Sequence, residues 1–516
     1  MRIQPNTVRH RPFRHLRLSF PCLITMSHAK ILPSHLLLPT LLLLLFSSLA
    51  CISAFGNTKG DEPRANDPVL ESITMDPVER DTLFRVMKNM SSDRDWRSSN
   101  PDPCKPDSSW PGIECKPGSD NLLHVTRLDF GAAPNPTCKE SATFPSEIFE
   151  LPYLASIFFL DCFKGVETSL SLPPPTRKAP PPAYASLQQL SLISNPSFVG
   201  AIPSNIFSLT SLRVLTLSQN RLHGTIPDSI SEVNSLVHLD LSYNSLTGSI
   251  PSQIGRLKGL VGLDLSYNSL TGSIPPSIGQ LRLLQKLDLS SNSIAGIVPD
   301  NLQNLSFLDF LALSNNNLSG GFPKGIAKLQ NLQYFIMDDN PMLVKLPWQL
   351  GRLAKLQELR LSNSGYSGVI PGSFAWLRNL TTLSLESNRL TGGIPAGLSD
   401  LGKLYHLNLS SNLLSGVVPF DAGFFKRLGS NVDLRENSGL CINGSQSVDG
   451  INIGVHVCRD NGSDSSLPKS LDKSGGTPFQ VRNFCFQLMG TRQIFVKSGG
   501  CILEQTEIIF RSKLQN

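Results

Sequence analysis

The side chains with the most chemical potential in this 516-residue chain are its ten cysteines and nine histidines. None stands at a spacing that builds a reactive centre. The sequence contains no zinc spacing, no G-x-S-x-G elbow and no Walker loop. The kinase set is missing as well, with no HRD loop, no DFG and no lysine-bearing VAIK strand. No cofactor is implied and no catalysis is expected. Cysteine chemistry of a structural kind remains. Cys22 and Cys51 fall in a leader segment, which leaves Cys104, Cys115, Cys138, Cys162, Cys441, Cys458, Cys485 and Cys501. An even number of closely spaced cysteines in an exported chain points to disulfides rather than to metal or free thiols. Asn-x-Ser/Thr acceptors begin at Asn89, Asn304, Asn317, Asn379, Asn408, Asn443 and Asn461, as candidate glycosylation sites.

Export is read from the first 54 residues. The apolar run LLLPTLLLLLFSSLACISAF, Leu36 to Phe55, follows a basic, acid-free stretch and ends in small residues. It reads as a signal peptide over 1–54, with cleavage after Ala50 or Ala54, and sends everything downstream to the cell surface or the extracellular space. The formal charge of +6 belongs to that leader: without the six basic residues of 1–35, 40 basic and 40 acidic side chains remain. A near-neutral chain has no broad field to steer it to nucleic acid. Residues 459–516 read as a polar, disordered tail without an apolar stretch of membrane-spanning length.

The elements that hold these side chains are set by a repeat. Prolines recur every 24 residues from Pro203 to Pro419, ten in succession. Asparagines keep the same phase from Asn220 to Asn412, interrupted only by Ser364, and glycines from Gly224 to Gly416, interrupted only by Val344. A clear unit is HLDLSYNSLTGSIPSQIGRLKGLV, His238 to Val261. In Leu239-Asp240-Leu241, alternation sends both leucines to one face and the aspartate to the other. Asn244 can satisfy buried backbone groups, Gly248 permits a turn, and Pro251 fixes the chain as it leaves Ile250. One unit cannot bury its leucines alone, but stacked units share a core. Strands stacked at about 4.8 Å make an arc of roughly 55 Å over about twelve coils.

This unit resembles the leucine-rich repeat, and its L-x-G-x-I-P continuation resembles the plant extracellular subclass. The fold expected is an α/β repeat solenoid, a plant-type leucine-rich-repeat superhelix with a parallel concave sheet and disulfide-bonded end caps. The resemblance implies a short additional strand near each Ile-Pro. The regions expected are an N-terminal cap over 76–120, 11–13 repeats over 121–437, a proline-rich insertion at 171–185 and a C-terminal cap over 438–458. In the N-terminal cap, Asp76-Pro77-Val78-Glu79 starts a helix whose apolar stripe is Val78, Leu83, Val86, Met87 and Met90. The stretch from Asp95 to Cys115 is similar to the cysteine-paired cap of plant receptors, which implies a Cys104–Cys115 bond; Cys138 with Cys162 is a second expected pair. NVDLRENSGLC followed by Cys458 resembles the C-terminal cap.

Five strings are more specific: SSWPGIEC, HVTRLDFGAAPNPTC, NLQYFIMDDNPM, LQELRLSNSGYSGVIP and VVPFDAGFFKRLGSNVDL. Together they are similar to plant receptor-like proteins of the Too Many Mouths and Piriformospora indica-insensitive group. That resemblance implies a kinase-less receptor-like protein in plant cell-surface signalling, in development or in responses to microbes. Its partner would be a protein or peptide ligand or a receptor-kinase ectodomain. The other function considered is a secreted inhibitor of a microbial wall-degrading enzyme, like the polygalacturonase inhibitors. Binding is expected on the concave wall, whose outward positions include His238, Asp240, Asp264, Lys286, Asp288, Phe310, Tyr334, Ile336, Glu358, Arg360, Tyr405 and His406. Aromatic and arginine side chains are common interface anchors. The two irregular units, with Met342-Leu343-Val344 in place of L-x-G and Ser364 in place of asparagine, add Met342 and Tyr366 to that expected surface.

Overall fold

The computed structural model describes residues 74–105, 110–173, 183–444 and 453–458. The leader, the tail, Asn461 and most of the proline-rich insertion lie outside the described residues.

Alternating leucines produce one continuous sheet. Fourteen strands pair side by side from Ile113–Pro117 to Val432–Asp433, and every pairing after the first, antiparallel one is parallel. The 24-residue period sets the register: Leu239 stands beside Leu263, Leu263 beside Leu287, and Leu287 beside Leu311. These side chains are almost fully buried in one core running the length of the coil. Each buried leucine contributes roughly 1.5–3 kcal/mol, which only stacking makes available.

The phased residues act as their chemistry suggests. Pro251 holds φ at −66°, and a short 3-10 helix, Ser252–Arg256, starts directly after it. The same arrangement follows Pro203, Pro227, Pro275 and Pro299. Short strands such as Arg221–Thr225 and Ser245–Thr247, close to the Ile-Pro pairs, build three further short sheets along the flank among the described residues. Each phased asparagine spans two coils. The Asn316 carboxamide oxygen accepts from the Ile294 N–H at 3.0 Å, while its Nδ2 donates to the Leu289, Leu313 and Ser314 carbonyls at 2.9–3.2 Å.

Both ends are closed. At the N-terminus, helix Pro77–Met90 is capped by the Asp76 carboxylate, which accepts from the N–H groups of Val78 and Glu79. Its buried stripe is Leu83, Phe84, Val86, Met87 and Met90. Val78, expected in that stripe, is 74% exposed; its place is taken by Glu79, whose carboxylate finds partners inside. Cys104 is bonded to Cys115 and Cys138 to Cys162. At the far end helix Ala422–Leu428, capped by Asp421, turns the chain into Val432–Asp433, and Cys441 is bonded to Cys458.

Candidate functional site

Two rows of side chains stand on the open wall of the fourteen-stranded sheet. The first runs His238, Gly262, Lys286, Phe310, Tyr334, Glu358, Thr382 and His406 across successive strands. The second runs Asp240, Asp264, Asp288, Ala312, Ile336, Arg360, Ser384 and Asn408 in the same pairings. Their chemistry changes along the arc.

The N-terminal half of the second row is acidic. Asp240, Asp264 and Asp288 each use one carboxylate oxygen on the N–H and hydroxyl of the serine two residues on. All three are buried, and Lys286 reaches Asp264 at 2.8 Å. Burial, reinforced by the Asp264 charge next to each, pushes Asp240 up to about 6 and Asp288 up to about 7. Burial likewise lowers His238, with Arg213 and Lys286 adding to the effect.

The Asp-x-Ser pattern stops at Ala312, and there the wall becomes apolar. Phe310 and Tyr334 lie ring to ring at 6.0 Å, with Ile336 beside buried Ala312. One ion pair bounds this patch on each side. Lys286 is held by Asp264 and has its Nζ 5.7 Å from the Phe310 ring, while Arg360 donates its Nε to Asp338 at 2.9 Å. Burial raises both Asp338 and Glu358 above the usual carboxylate range, against the pull of Arg360. An apolar centre rimmed by preorganised charges can bury against a protein surface; no group of three metal-binding side chains occurs among the described residues.

Most expected partner-binding residues fall on this wall. Phe310, Tyr334 and Glu358 are register neighbours, as are Ile336 and Arg360. Tyr405, 65% exposed, and His406 stand two strands further on. Two expectations are corrected. Met342 is 1% exposed and Tyr366 0%, because both occupy the inward position that leucine or isoleucine fills in regular coils. Tyr366 stacks on Phe322 at 5.9 Å in the core. The irregular coils are thus repacked inside. Ser364, too short for the asparagine role, gives its backbone carbonyl to the Met342 N–H and its hydroxyl to the Met337 and Ser362 carbonyls. Leu343 adopts the left-handed φ of 53° beside the missing glycine.

The residues that were not singled out are Ala312 and Asp338; the signal for Ala312 is the break in the Asp-x-Ser series. Among the glycosylation candidates Asn89, Asn304, Asn317 and Asn443 are exposed. Asn379 and Asn408 are half-buried with their amides engaged, Asn379 by Ala354 and Lys403, Asn408 by Glu386 and Ser410. Asn408-Leu409-Ser410 is the amide version of the Asp-x-Ser bracket, so its acceptor sequence is also a piece of scaffold.

The stacked coils, the asparagine ladder and the flanking short sheets define a leucine-rich-repeat superhelix of the plant type. Residues 188–335 match the model of a leucine-rich repeat region and 354–414 that of a leucine rich repeat. Its relatives are plant leucine-rich-repeat receptor-like proteins. The chain is 60% identical to Receptor like protein 29 of Arabidopsis thaliana over 150 residues, 29% of this chain and 31% of that protein. It is 37% identical to Too Many Mouths over 149 residues, 27% of each, and 34% identical to Piriformospora indica-insensitive protein 2 over 182 residues, 34% of this chain and 40% of that one, both from the same plant. The matched stretches therefore span about a third of these relatives. Among solved structures, PEPR1 bound to AtPEP1 superposes with a TM-score of 0.58 at 30% identity, covering 71% of this chain and 49% of that one. A TDR receptor gives 0.51 at 29% identity, covering 58% and 50%.

Proposed function

We propose that this chain is a receptor-like protein of the plant cell surface or extracellular space, and that it works by binding rather than by catalysis. Its concave wall engages a peptide or protein ligand, or the ectodomain of a receptor kinase. The observation that carries this reading is the in-register patch of Phe310, Tyr334 and Ile336 over Ala312, held between the Lys286–Asp264 and Arg360–Asp338 pairs. Support comes from the relatives, which are receptor-like proteins, and from PEPR1, a similar coil solved with the ligand AtPEP1.

The test is capture of receptor-kinase ectodomains and extracellular peptides by the full secreted chain, beside the double variant Tyr334→Asp, Ile336→Asp. Hot-spot losses of 2 kcal/mol or more weaken binding by about thirtyfold at least. Equal capture by both proteins refutes the concave reading. Inhibition of fungal pectinases by the wild-type chain, with no receptor captured, replaces it with the inhibitor function.

A further inference from the structure

Beside its apolar stripe and backbone bonds, the N-terminal cap meets the first coil through one buried histidine, away from the concave patch. His124 lies on strand Leu123–Phe130, and its Nδ1 is 2.6 Å from the Glu79 carboxylate of helix Pro77–Met90. Its Nε2 is 3.0 Å from the carboxylate of Asp120, in the turn before the strand. The side chains of His124 and Glu79 are 4% and 3% exposed. The second Glu79 oxygen accepts from the Val125 N–H at 3.0 Å, so one carboxylate adds two side-chain bonds to the backbone bonds that join Thr74 and Asp76 to Leu123. Tyr153 stacks on the imidazole at 3.8 Å. Gly118 lies under it, where any Cβ would come within 2.6 Å of the ring. On the antiparallel strand, Lys116 stands opposite His124 in register but is itself paired with Glu114 and mostly exposed. Asp76, at the start of the helix, adds negative charge near Glu79.

We propose that this triad is a proton-operated latch: one proton on the His124–Glu79 line tightens the cap helix against the solenoid beyond what its apolar stripe provides, and its loss at alkaline pH loosens that junction. With that proton, His124 donates from both ring nitrogens to both carboxylates. Without it, a neutral imidazole donates from one nitrogen only, and one of the two carboxylates, buried Glu79 or the more exposed Asp120, then faces a lone pair. Burial by itself lowers the affinity of His124 for its proton, but the hydrogen bonds to Asp120 and Glu79 outweigh it and hold the group above its ordinary 6.5. Glu79 is raised by burial, and Asp120 is lowered by its bond to His124. A raised histidine contributes stability that is complete below 6.5 and disappears as pH climbs through its folded value. The Asp120 contribution is lost only on acidification, so the latch is closed at mildly acidic pH and opens upward.

The full secreted protein is compared at pH 5.5 and 8.5 by hydrogen–deuterium exchange corrected for intrinsic rates. The expected result is loss of protection in peptides covering 77–90 and 123–130 at the higher pH, with peptides over 238–312 unchanged. His124→Gln, which keeps a neutral hydrogen-bonding side chain, abolishes the difference. Equal protection of 77–90 in the wild type at both pH values overturns the proposal, as does an undiminished difference in His124→Gln. Exchange of the imidazole Cε1 hydrogen against pH needs no variant: a midpoint above 6.5 supports the latch and one at or below 6.5 overturns it.

Discussion

Asn316→Ala isolates what one rung of the asparagine ladder contributes. The alanine removes an acceptor from the Ile294 N–H and three short donations to the carbonyls of Leu289, Leu313 and Ser314. Asn316 is buried, so water cannot replace these bonds without opening the coil. An orphaned buried N–H costs about 1–3 kcal/mol, and the carbonyls, with a second lone pair each, add less. The expected loss is about 2–4 kcal/mol, concentrated at the junction of two coils. Because a solenoid is a chain of nearest-neighbour contacts, a global melting temperature dilutes a local break. The informative assay is urea-dependent hydrogen exchange in peptides spanning 286–340, with Asn301→Ala, an exposed asparagine one coil earlier, as the reference. A change below about 0.5 kcal/mol, the usual range of surface substitutions, refutes the view that this amide holds two coils together.

Other consequences are as direct. Tyr366→Phe deletes a buried hydroxyl that has no hydrogen-bond partner in the core, and is expected to raise stability by about 1 kcal/mol, read from the urea midpoint; destabilisation contradicts the repacking account. The raised Asp240 and Asp288 hold protons that the unfolded chain has released, so stability declines as pH rises from about 4 to 7. Asp288→Asn flattens that decline, since an amide already fills the same bracket at Asn408; an unchanged pH profile refutes the assignment.

What could be read from residues alone was whatever repeats. The 24-residue phase of proline, asparagine and glycine dictates register, turn and core together, because each residue type has one mechanical role per coil. The inward and outward sense of Leu239-Asp240-Leu241 needs only alternation. Departures from the phase are harder. Met342 and Tyr366 look like surface novelties in a string, yet side-chain volume decides their place: when Ser364 leaves the asparagine site short, neighbouring backbone closes in and a large ring fills the inside. The Glu79–His124 contact joins residues 45 apart in sequence, and helix patterning argues for Val78 inside and Glu79 outside. Only burial of both partners reveals that a hydrogen-bonded polar pair completes the apolar stripe at that junction.

The strict one-coil register makes the wall a graduated scale. Coils advance by about 4.8 Å while an extended peptide advances about 3.3 Å per residue, so three residues of a peptide laid along the arc keep step with two coils. Side chains of an extended peptide alternate in direction, so Phe310 and His406, four strands apart, would then meet same-facing side chains six positions apart in such a guest. Positions between these two would meet the guest out of step, so a peptide laid on this sheet would match it in a sixfold sequence rhythm before any individual contact is chosen.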